Sequence, residues 1–85
     1  MAYKVILTGK VRKQIETLSR SAWARVRIAI DGLETDPRPP GAVKMKGPFD
    51  TWRIRVGVYR VLYVIEDERL VVLVVNVGHR REVYR

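Results

Sequence analysis

The chain has 85 residues, 47% of them hydrophobic, with no cysteine, one histidine and a formal net charge of +8. That size suits one domain with one small core, and that apolar share excludes a disordered chain. Disulfides and thiolate metal sites are excluded, a histidine-based metal centre has only His79 to draw on, and no apolar run approaches the ~20 residues that span a bilayer, so no metal, no cofactor and no membrane is expected and the cytoplasm is the expected compartment.

In chain order, residues 2–7 read as a first strand, with Tyr3, Val5 and Leu7 alternating with Lys4 and Thr8. A helix is expected from about Gly9 to Leu18, its dry side formed by Val11, Ile15 and Leu18. Ser19-Arg20-Ser21 is a short break, and either serine could cap a second helix over about Ala22–Glu34. Trp23, Val26, Ile30 and Leu33 form that helix's stripe, and Asp36-Pro37 ends it. The pair makes an α-hairpin that must lie on a sheet, since no other apolar surface is offered. Residues 36–50, rich in proline and glycine, form one long connection in which Val43–Lys46 can be a short edge piece.

Residues 51–66 read as a β-hairpin with unlike faces. Gly57-Val58 suits a type II′ turn. That turn sets Val56 opposite Tyr59, Arg55 opposite Arg60, Ile54 opposite Val61 and Trp52 opposite Tyr63. One face is apolar, and the other carries Arg53, Arg55 and Arg60. Directly opposed like charges weaken a sheet by up to ~1 kcal/mol. A face that accepts such a cost is suited to an anion. Glu66-Asp67-Glu68 forms an acidic turn, and Leu70–Val77 is apolar on both sides, which places it inside the sheet. The expected fold is α+β: a strand, an α-hairpin, then a mainly antiparallel sheet of about four strands with both helices on one face.

Charge is concentrated where chemistry is expected. Residues 42–60 hold five basic side chains against one acid, and residues 78–85 hold three against one. Such clustering favours a polyanion, usually nucleic acid. His79, Arg80, Arg81 and Tyr84 follow the interior strand, where side chains can converge on the hairpin's open face. Which of Arg80 and Arg81 points there depends on the acidic turn, because a two-residue loop and a bulged one give opposite answers. Lys44 and Lys46, two apart in an extended stretch, share a side. There is no serine–histidine–acid set, no P-loop and no metal cluster in the sequence. A nuclease built from these residues would use the RNA's own 2′-hydroxyl. It would leave a 2′,3′-cyclic end, with arginines on the transition-state phosphate and His79, Tyr84 or a lysine as proton acceptor.

The order of elements, the K-x-K-G segment, the W-R-I-R-V-G-x-Y-R-V-x-Y hairpin and the G-H-R-R-E-V-Y ending resemble the RelE/ParE toxin superfamily over essentially the whole chain. The resemblance implies a toxin of a type II toxin–antitoxin system, of the RelE branch, which cleaves mRNA in the ribosomal A site without metal. It implies that Arg53 and Arg55 stand where RelE-type toxins carry lysines that hold the message, and that Arg60 grips phosphate. Arg80, with Arg81 as the fallback, would serve the leaving group, and Tyr84 would stack on the cut nucleotide. Lys44 and Lys46 would contact ribosomal RNA. Because the lysine pair is arginine here, His79 is the candidate base. The expected partners are mRNA, ribosomal RNA and a small acidic antitoxin, with the toxin monomeric when alone and hetero-oligomeric with that antitoxin. Two alternatives stand beside this reading: a ParE-type inhibitor of DNA gyrase without nuclease activity, and a basic RNA-binding module without chemistry.

Overall fold

The computed structural model describes residues 2–79. Its elements are β1 (Lys4–Leu7), α1 (Gly9–Glu16), α2 (Arg20–Gly32), β2 (Val43–Lys44), β3 (Thr51–Val56), β4 (Tyr59–Glu66) and β5 (Val71–His79), with a 3₁₀ turn at Asp67–Arg69. The five strands form one sheet in the order β1-β5-β4-β3-β2. Among the described residues only β1 and β5 run parallel, and the other three pairings are antiparallel. The fifth strand is the short edge piece at Val43–Lys44, so the α+β expectation holds with one strand more than about four.

Each helix begins at a hydroxyl cap. The Thr8 side chain accepts from the Val11 N–H at 3.2 Å, and Ser19, rather than Ser21, accepts from Ala22 at 3.1 Å. Both helices end two residues before the sequence pattern does, because their last turns tighten. Thr17 and Leu18 donate to Gln14 and Ile15, and Leu33 and Glu34 donate to Ile30 and Asp31, all bonds of the 3₁₀ kind. The periodic positions nevertheless keep their jobs. Val11, Val26, Ile30 and Leu33 pack on Ile54, Val61, Tyr63, Ile65, Val72, Val74 and Val77, which all stand on one face of the sheet. Burying such a side chain is worth about 1.5–3 kcal/mol, and this layer is the core.

The hairpin register is the one expected, residue for residue. Gly57 sits at φ 61 and Val58 keeps a negative φ, as a type II′ turn requires. Beyond it, β5 pairs with β4 through a bulge. Glu66↔Val71 to Tyr63↔Val74 share one register, and Leu62↔Asn76 to Tyr59↔His79 share another, so Val75 opposes no residue. One extra residue reverses the faces of everything that follows it.

The long connection is pinned by a clasp. Arg38 reaches Asp50 at 2.7 Å and Asp67 at 2.9 Å. Tyr3 donates its hydroxyl to Asp67 at 2.6 Å, and the Trp52 indole N–H donates to Asp50 at 2.7 Å. The Arg38 guanidinium also lies over the Trp52 ring, 5.5 Å from its centroid. Arg38 and Tyr3 together hold the Asp67 carboxyl below the usual carboxylate range. Tyr63 is fully buried, and its hydroxyl donates to the Pro37 carbonyl at 2.7 Å. Loss of water around that ring pushes its pKa up to about 12.

Candidate nucleic-acid interface

The face of the sheet opposite the core carries the expected arginines together. Arg55 and Arg60 are direct cross-strand partners, and Arg53 stands two residues along on the same face, opposite Leu62. Gly78 lies across from Arg60 on its other side, so no side chain from β5 intrudes there. Exposure is graded: Arg60 is 9% exposed, Arg53 half-buried and Arg55 exposed. The register also sets half-buried Leu62, Val64, Leu73 and Ile6 on this face, an apolar floor beside the charges. Guanidinium forks on neighbouring strands of a rigid sheet can grip two oxygens of one phosphate.

His79 does not join them. It pairs with Tyr59 on the core face, their rings meeting edge-on with centroids 6.3 Å apart. The two share a cavity of about 210 Å³ with Gln14, Thr17 and Leu18 of α1 and its end. The cause is the bulge: were Val75 paired in register rather than bulged out, His79 would fall on the arginine face. Lys44 also stands apart from the arginines. Val43 is the residue that pairs with Arg53, whereas Lys44 pairs with Trp52 and lies 3.8 Å from Asp50. Lys46 is exposed beyond the end of β2. Arg80, Arg81 and Tyr84 lie outside the described residues.

Two features had no counterpart in the sequence reading. The Arg38 clasp joins residues far apart in the chain, and no local pattern announces it. A groove of about 680 Å³ runs between α2 and the edge of β3, lined by Ile28, Ala29, Gly32, the Pro39–Gly41 turn, Val43 and Arg53–Arg55. Its signal was present: Pro39-Pro40-Gly41 stops β2 before it can cover the edge.

The family model for the ParE toxin of type II toxin–antitoxin systems matches residues 5–84. The chain belongs to the RelE/ParE toxin superfamily. Toxin RelG of Mycobacterium tuberculosis is 34% identical over 100% of this chain and 99% of its own. The RelE chain of the archaeal RelE–RelB complex from Pyrococcus horikoshii superposes with a TM-score of 0.85 at 28% identity, covering 94% of this chain and 97% of that one. Isolated RelE toxin of E. coli gives 0.81 at 28% identity, covering 98% and 92%. This RelE/ParE member is thus a toxin of a type II toxin–antitoxin system, and its five-stranded sheet with two helices is the RelE fold.

Proposed function

We propose that this toxin is a ribosome-dependent endoribonuclease that cuts mRNA in the A site. The observation that carries the reading is the Arg55–Arg60 pair, with Arg53 beside it, on the sheet face free of the helices. These guanidiniums bind the non-bridging oxygens of the scissile phosphate and stabilise the extra negative charge of the five-coordinate transition state. The adjacent 2′-hydroxyl attacks phosphorus and gives its proton to an acceptor. The bond to the 5′-oxygen breaks, that oxygen takes up a proton, and a 2′,3′-cyclic phosphate remains. His79 faces the other side of the sheet, which argues against it as the acceptor. Arg80, or Arg81 in its place, serves the leaving group and Tyr84 the base. Lys44 and Lys46 reach ribosomal RNA rather than the scissile phosphate, since the edge strand sets Lys44 apart from the arginines. No metal enters this chemistry.

The partner that silences the toxin is a small acidic antitoxin. The RelE chains it resembles are found in complexes with RelB, and a chain of charge +8 favours an acidic partner. The test is in vitro translation on purified ribosomes in the cytoplasmic ionic range. Position-specific cuts in ribosome-bound mRNA, bearing cyclic phosphate ends, support the reading. Intact message overturns it.

One observation favours a second reading: the matching family model is the ParE one. A ParE-type toxin would leave mRNA whole and trap DNA gyrase in its cleaved complex. Gyrase-dependent DNA breaks with intact message would select it.

A further inference from the structure

The last strand is paired on one side only where it nears the arginines. β1 runs beside β5 as far as Leu7↔Val74, and among the described residues no strand lies on that side from Val75 to His79. A side chain of α1 stands in for one. Gln14 accepts the Val77 N–H on its Oε1 at 2.7 Å and donates from Nε2 to the Asn76 Oδ1 at 2.6 Å. A backbone N–H can only donate, so it fixes which end of the Gln14 amide faces β5, and that fixes the Asn76 amide in turn. Gln14 lies three residues after fully buried Val11 and four before Leu18, on the dry side of its helix. A polar group placed there is costly unless it is bonded.

The Val77 bond belongs to one register. Thr8 donates its N–H to the Val74 carbonyl, so the backbone of Val74 faces β1. With a period of two, Val77 would then face β4, and the extra residue at Val75 is what turns its N–H toward Gln14. If the first register ran on unbroken, Val61 would pair with Asn76 and Arg60 with Val77. Cross-strand partners share a face, so a valine side chain would stand against Arg60 on the open face. With the bulge, Gly78 takes that place and leaves it clear. The valines of β5 suit either register, and the choice falls to the polar groups that Gln14 holds. We propose that Gln14 is a positioning residue of the arginine face: it latches the bulge, and so keeps a glycine beside Arg60 where the phosphate is gripped. The inference rests on the nuclease reading above for its effect on rate, and on the register alone for its effect on structure.

Gln14→Met keeps the length of the side chain and removes both bonds. Nuclear Overhauser contacts between Gly78 and Arg60, amide exchange at Val77 and the single-turnover rate at saturating ribosome-bound mRNA are read on the full chain, well below its unfolding midpoint. The variant should lose the Gly78–Arg60 contact, exchange the Val77 amide at least about 10-fold faster and cut at least about 10-fold more slowly. Rescue is chemical. Gln14→Glu still accepts the Val77 N–H and takes a bond from the Asn76 amide once that turns over, and Asn76→Asp still accepts from Gln14. Each should cut within about 3-fold of the parent, whereas the double variant sets carboxylate against carboxylate and should fall at least about 10-fold below the product of the two. Where Gln14→Met does not fold, the acidic pair decides. An intact Gly78–Arg60 contact in Gln14→Met, an unchanged rate in that variant, or a double variant whose loss is only the product of the single losses would each overturn the proposal. A parent that leaves mRNA whole defeats the nuclease reading alone, and the Gly78–Arg60 contact and the Val77 amide still judge Gln14.

Discussion

At the scale of single residues, the arginines of the open face differ in what they can be asked. Arg60 is enclosed, and removing it disturbs packing as well as charge. Arg55 is exposed and pairs across to Arg60, so its truncation reports on phosphate binding. Arg55→Ala should lower the cutting rate about 100-fold, in the range lost when one preorganised donor leaves a transition state. The unfolding midpoint should not fall, because one of two opposed like charges is gone. A rate within a few-fold of the parent would take Arg55 out of the chemistry. His79 carries the opposite expectation. A general base contributes about 10²–10⁴ in rate, so His79→Gln should stay within about 3-fold of the parent if the bulge keeps that ring on the core face. A large loss, measured in the same translation assay, would mean that histidine reaches the phosphate after all.

At the scale of elements, the hairpin and the last strand show what a pattern can and cannot carry. Trp52, Ile54 and Val56 alternate with arginines, and Gly57 fixes the turn, so register and faces were both legible. The run from Leu70 to Val77 holds only one polar residue, Asn76, and an all-apolar strand looks the same in either register. The bulge at Val75 was therefore invisible, and with it the placement of His79. The same reason hid the orientation of Lys44, since a two-residue strand has too little alternation to read. The helices were legible by face but not by end, where tight last turns decided. The bulge yields an unusual expectation. Deleting Val75 removes a residue that opposes nothing, so Asn76, Val77, Gly78 and His79 can keep their partners. The deletion should cost less than about 2 kcal/mol and preserve the ring contact between Tyr59 and His79. Denaturant unfolding and nuclear Overhauser contacts between those rings check both points. A chain that cannot fold would mean the bulge's bend is itself required.

At the scale of the whole molecule, two groups of the clasp tie stability to pH at opposite ends of the range. The Asp67 carboxyl is held low by Arg38 and Tyr3, so its contribution is present above the ordinary carboxylate range and disappears as pH falls through its folded value. The Tyr63 phenol is held high, at about 12, by burial. Its contribution is intact below the ordinary tyrosine value of about 10 and is lost as pH rises toward its folded value. Stability should therefore fall at both extremes for separate reasons. Asp67→Asn should flatten only the acid limb and Tyr63→Phe only the alkaline one, in urea midpoints taken across pH. Tyr63→Phe also gives up the bond to Pro37, about 1 kcal/mol at neutral pH. An unchanged alkaline limb in that variant would assign the loss to another group. None of this clasp was legible beforehand, because its members come from four separate stretches joined only by folding.

The parallel pairing of β1 with β5 has a consequence for how the chain comes into being. The earliest strand to leave a ribosome has, among the described residues, its neighbour in the last one. Contacts that distant in sequence close late. During synthesis β1 therefore lacks its parallel neighbour until β5 has been made, although the helices and the β3–β4 hairpin between them can form earlier. Closing the sheet at β1 is thus the step that waits longest, since its partner is the last strand of the described residues to be translated.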